Sequence, residues 1–126
     1  MNITRGLIID APPIDRILSG IKTWEMRSTS TNVRGRIALI RKKSGTVVGT
    51  VDLVDCIGPL SQDQMLNHLD RHHIDPGRIR NGEVAKWKYA WVLDKVRKLP
   101  APVRYEHPSG AVIWVNLTPE VSAQLG

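Results

Sequence analysis

Gly20-Ile21-Lys22-Thr23-Trp24-Glu25-Met26-Arg27 is the stretch on which the reading of this chain turns. It follows a helix stop and opens a strand. Strand side chains alternate between faces. If Trp24 and Met26 point to a core, Thr23, Glu25 and Arg27 share the opposite face. Lys22 sits at the helix-strand junction, from which its long side chain leans over that face. The arrangement predicts a compact ionisable cluster at one end of a sheet, a place suited to ligand binding and proton transfer.

Working outward, Thr4 to Ile9 reads as a first strand. Pro12 and Pro13 suit a helix entrance, where a missing N–H costs little. Ile14, Ile17, Leu18 and Ile21 recur at i, i+3, i+4 and i+7, which predicts one apolar helical stripe, and Gly20 is a natural stop. Thr23 to Arg27 is the second strand and Ser28 to Val33 a loop. Arg36 to Lys43 and Thr46 to Cys56 read as two strands turning at Ser44-Gly45. Gly49 inside the second marks a bulge or a close approach by another group. Ser61 and Gln64 occupy the two positions of a capping box, with Leu60 and Met65 as its staple. That helix is expected to run to about Arg71, and Asp75 to Glu83 to form an irregular loop. Lys88 to Asp94 and Ala111 to Leu117 read as strands. Thr118-Pro119-Glu120 opens a short final helix. About six strands and two or three short helices, without regular strand-helix alternation, point to an α+β arrangement or a small barrel.

The chain has 126 residues, which fits one domain spanning 1–126. No apolar run approaches the roughly 20 residues of a membrane span, and Met1 to Arg5 lacks a signal layout. Cys56 is the single cysteine, so no internal disulfide or cysteine zinc cage forms. The expectation is a cytosolic protein with no membrane partner, no cofactor and no metal. The net charge of +6 points to an anionic partner, nucleic acid being the usual one, or to a basic solvated surface.

Three sets of residues carry the functional reading. Lys22, Glu25 and Arg27 form the first. Beside Glu25 and Arg27, Lys22 feels one influence raising its pKa and one lowering it, and partial desolvation would make it a base or nucleophile. The second set runs from Arg78 to Tyr89, where Arg78, Arg80, Lys86 and Lys88 interleave with Trp87 and Tyr89. Basic and aromatic residues together suit phosphate contact and base stacking; Arg34 is a further basic candidate. Trp91 and Trp114 read as core, Cys56 as a small buried residue. The third set is His68 and His72, spaced i, i+4 with His73 and Asp75 nearby. Without a third ligand at a recognisable spacing, they read as a polar helix face rather than a metal site.

The segment Leu18 to Arg27 resembles the Gly-x-Lys-x-x-Glu-x-Arg signature of ASCH domains, a branch of the PUA-like superfamily. Gly35 to Ile40, Gly49 to Asp55 and Tyr89 to Leu93 resemble its later strands in order and spacing. The resemblance implies a small mixed β-barrel with flanking helices and a cleft lined by Lys22, Glu25 and Arg27. It implies an RNA- or nucleotide-related role, either as a binding or ribonucleoprotein interaction module or as a hydrolase. Some relatives cleave RNA. Another group deacylates N4-acetylcytidine with a Lys, a Thr and a Glu. Lys22 matches that lysine. Its threonine falls where this chain has Glu25, leaving Thr23 as the nearby hydroxyl. Its glutamate falls in the region of Asp70, Asp75 and Glu83. The candidate catalytic residues are therefore Lys22, Glu25 and Thr23. The candidate ligand contacts are Arg27, Arg34, Arg78, Arg80, Lys86, Trp87, Lys88 and Tyr89. RNA, a nucleotide or a modified nucleoside is the expected partner.

Overall fold

A computed structural model describes residues 2–126. Six strands form one curled half-barrel sheet: β1 (Arg5–Ile9), β2 (Trp24–Arg27), β3 (Gly35–Arg41), β4 (Thr46–Ile57), β5 (Tyr89–Arg104) and β6 (Trp114–Asn116), in the order β2-β5-β4-β3-β1-β6. All neighbours are antiparallel except β1 and β3, which run parallel with Leu7 beside Leu39. The C-terminal ends of β1 and β3 therefore lie together, and the segments leaving them share one rim. Among the described residues, no helix is long and apolar enough to cross a membrane.

Five short helices pack around the sheet: α1 (Pro13–Leu18), α2 (Gln62–Leu66), α3 (Leu69–His72), α4 (Pro76–Arg80) and α5 (Pro119–Ala123). Alternation along the strands sorts the apolar residues into layers. Leu7, Ile9, Ile37, Leu39, Val51, Leu53, Trp91 and Leu93 fill the inner core, which α1 closes with Ile14 and Ile17. Ile8, Ala38, Ile40 and Val47 belong to a second core that includes Val115 and Leu125. Trp24, Met26 and Ala90 form a third, covered by Met65, Ile74, Ile79 and Val84.

Several expectations meet corrections. Ile21 is 53% exposed and leaves the helical stripe, because α1 ends at Leu18 and the chain turns at Gly20 with φ +87°. The middle helix does have its capping box on Ser61 and Gln64, but it stops at Leu66, and α3 is a separate turn. The expected loop at Asp75 contains α4, since the Asp75 side chain accepts from Gly77 N–H and Pro76 starts the helix. With α5, these short turns bring the helices to five rather than two or three. The strand expected to end at Asp94 continues to Arg104, and the last strand shortens to Trp114–Asn116.

Candidate functional site

Glu25 and Arg27 do lie opposite Trp24 and Met26, but their face is not a solvent face. Glu25 pairs in register with Trp91 and Arg27 with Tyr89, so both point toward the inner core at its open edge. Lys22 is 5% exposed and Glu25 8% exposed. Burial of this depth requires each charge to be matched, and the hydrogen bonds supply the match. Glu25 Oε2 accepts from Arg27 Nη2 at 2.9 Å and Nε at 3.2 Å, while Oε1 lies 3.7 Å from Lys22 Nζ. Lys22 Nζ also donates to His72 O at 2.7 Å. Arg27 Nη2 donates to Ile8 O at 2.8 Å, and the guanidinium lies 5.5 Å from the centre of the Trp91 ring. A strand at one end of the sheet is thereby joined to β1, near the other end, by one side chain.

His72 holds the lysine's acceptor in place. It is buried, in contrast to the expected polar helix face. Ile74 N–H donates to Nδ1 at 3.0 Å, so Nε2 carries the proton and donates to Met65 O at 2.7 Å. Both ring nitrogens serve the backbone and neither is open to a metal. No group of three or more metal-binding side chains occurs among the described residues. Burial holds the imidazole pKa below its ordinary 6.5, against the opposing hydrogen bond to Met65, and nearby Lys22 pushes the same way as burial. Burial likewise drops Lys22 below its ordinary 10.5. Glu25 opposes that shift, and the positive charges of Arg16 and Arg27 add to it.

These groups form the floor of an open cleft of about 430 Å³, within the range of small-molecule sites. Its walls carry Arg16 from α1, Lys42 from the turn after β3, and Arg78 and Trp87 from the helical side. Asp10, 3.6 Å from Lys42 Nζ, is the second lining carboxylate after Glu25. Five lysine and arginine side chains thus face two carboxylates.

Of the sequence candidates, Lys22, Glu25, Arg27, Arg78 and Trp87 meet at this cleft. Thr23 is not among its lining residues: its backbone binds Arg71 O and Leu93 N, and its Oγ1 is buried without a hydrogen-bond partner. Arg34 lies by the start of β3, 3.9 Å from Asp55. Lys88 lines a separate groove with Leu60 and Met65, and Tyr89 packs on the inner core. Arg80 and Lys86 are exposed and outside the cleft lining. Asp70 lies 3.9 Å from Arg71, Asp75 caps α4 and Glu83 pairs with Arg78; none of the three lines the cleft. Arg16, Lys42 and Asp10 line it without having been candidates, and His73, named only as a neighbour of the His68–His72 pair, lines it too. The signal that would have found Asp10 and Lys42 is the parallel pairing of β1 with β3, which sets the ends of both strands on one rim.

The fold recurs in known structures. The ASCH protein of Zymomonas mobilis superposes with a TM-score of 0.70 at 15% identity, over 96% of this chain and 92% of that one. A single-substitution variant of the same protein gives 0.65. No curated protein matches the chain in sequence. Residues 7–102 match the ASCH domain family, and with most of its length so matched, the chain belongs to that family.

Proposed function

We propose that the cleft binds RNA or a nucleotide-sized anion. The observation that carries this reading is the excess of cations around a cavity whose two deepest members, Lys22 and Arg27, are fixed by Glu25. Arg16 and Lys42 are placed to meet phosphate oxygens. Lys22 Nζ donates one hydrogen bond, to His72 O, and is ion-paired with Glu25 at 3.7 Å, and Arg27 Nη1 has no protein partner among the described residues. Each keeps a donor for ligand. The test is a titration with short single-stranded RNA at low and moderate salt. Binding should weaken steeply as salt rises, because phosphate contacts release counterions. Arg16→Gln or Lys42→Gln should each lower the log–log slope by about 1. Absence of binding at low salt would overturn the reading.

A second reading, hydrolysis of RNA or of an acylated nucleoside such as N4-acetylcytidine, is favoured by the depressed pKa of Lys22 at the cleft floor. Depression enlarges the neutral, proton-accepting fraction of the amine. If the protein turns over either substrate, Lys22→Ala should abolish the reaction, whereas Arg27→Ala should raise KM more than it lowers kcat. Turnover that survives Lys22→Ala removes the lysine from the chemistry.

A further inference from the structure

Beside the cleft lies a second hollow of about 380 Å³. The two cavities share Ile8, Lys42 and Val112 as a common wall. Ile8 joins them through its backbone. Its carbonyl accepts from Arg27 on the cleft side, and its N–H donates to Ile113 O at 2.9 Å, holding the segment that builds the hollow.

The hollow's distinctive feature is a fixed aromatic pair. His107 Nε2 lies 2.8 Å from Ala111 O, which can only accept, so Nε2 carries the proton. Nδ1 is then the bare nitrogen and accepts from the Tyr105 hydroxyl, also at 2.8 Å. The rings sit 5.8 Å apart at 58°. Tyr105 packs by one side on the second core, and His107 is exposed. A stacking surface is thus held in advance, at low entropic cost to a ligand. Lys42 and Lys43 stand beside it, Lys43 in the left-handed region with φ 65°.

We propose that this hollow is a second nucleotide subsite. It takes the base adjoining the one in the cleft, stacked against Tyr105 and His107, with the bridging phosphate over Lys42. The proposal rests on the cleft binding a nucleotide. Its ligand class is a single strand of at least two nucleotides, since aromatic faces accept any unstacked base and lysines accept the backbone.

The experiment compares uridine monophosphate with its 5′-phosphorylated dinucleotide, by calorimetry, on wild type, His107→Ala and Tyr105→Phe. His107 is exposed, so its removal leaves the cores intact. Wild type should bind the dinucleotide roughly tenfold more tightly, the scale of one stacked base. His107→Ala should erase most of that advantage and leave monophosphate affinity unchanged. Tyr105→Phe, which keeps the ring but frees His107, should erase part of it. A dinucleotide advantage that survives His107→Ala, or none in wild type, overturns the second subsite while monophosphate binding upholds the cleft. If neither ligand binds wild type, both readings fall.

Discussion

Glu25 holds two cations at once, and the order of the site depends on it. In Glu25→Ala the buried Lys22 ammonium keeps His72 O but loses its counter-charge. Uncompensated buried charges of this kind cost about 3 kcal/mol or more, and urea denaturation should show it. Glu25→Gln should lower the Lys22 pKa further, because the charge that raises it is gone; the direction is readable by NMR titration of the lysine. A pKa that rises would refute this account of the network. His72 gives a second test at this scale. Its folded pKa lies below 6.5. Between that value and 6.5 the unfolded chain binds a proton that the native ring refuses, so stability rises with pH across this window and falls on acidification. The denaturation midpoint should drop between pH 7 and pH 5, with the His72 ring titrating below 6.5 by NMR. A ring that titrates above 6.5 would contradict its buried neutral form. Lys22, Glu25 and Arg27 were legible in the sequence because alternation alone puts the last two on one face. His72 was not, because both of its ring partners are backbone atoms and no residue type announces them.

At the scale of elements, local chemistry was readable where a side chain meets its own neighbours. Ser61 with Gln64 and Thr118 before Pro119 both cap helices as their spacing requires. Asp75 does the same for α4, yet Pro76-Gly77 resembles turn sequence, and the helix is too short for any apolar period to show. The length of β5 was hidden by Pro100 and Pro102, which cannot donate to a ladder. The strand accommodates them by slipping register: Lys98 pairs with Gly49 and Val103 with Val47, so residues 99–102 oppose Val48 alone. Gly49 at that slip lies under α1. A Cβ there would stand 2.5 Å from Leu18 Cδ2 and 3.0 Å from Arg97 O. Gly49→Ala should therefore destabilise by about 1–3 kcal/mol, the usual cost of overpacking. A melting temperature equal to wild type would show that α1 moves freely on β4.

For the whole molecule, the class was legible and the closure was not. Hairpin spacing and turn residues predict a small sheet-rich domain, but the parallel pairing of β1 with β3 is a long-range choice that leaves no local mark. That pairing gathers Asp10, Arg16 and Lys42 around the ion network, which is why half of the cleft wall escaped sequence reasoning. The half-barrel also stays open between its edge strands β2 and β6: no backbone ladder joins them, and Arg27 reaches from β2 across the gap to Ile8 of β1. The consequence is a seam expected to open before the backbone ladders do. Parting it costs one guanidinium's bonds and some packing, whereas parting β4 from β5 costs a long backbone ladder. If the cleft binds an anion through Arg27, that anion draws on the same guanidinium that spans the gap, which would couple occupancy to wall mobility. Amide exchange should report this. Arg27→Ala should speed exchange at Ile8, whose N–H rests on Ile113, and along β2, while the centre of β4 keeps its protection. Equal acceleration everywhere would mean that the barrel opens as one unit and has no seam.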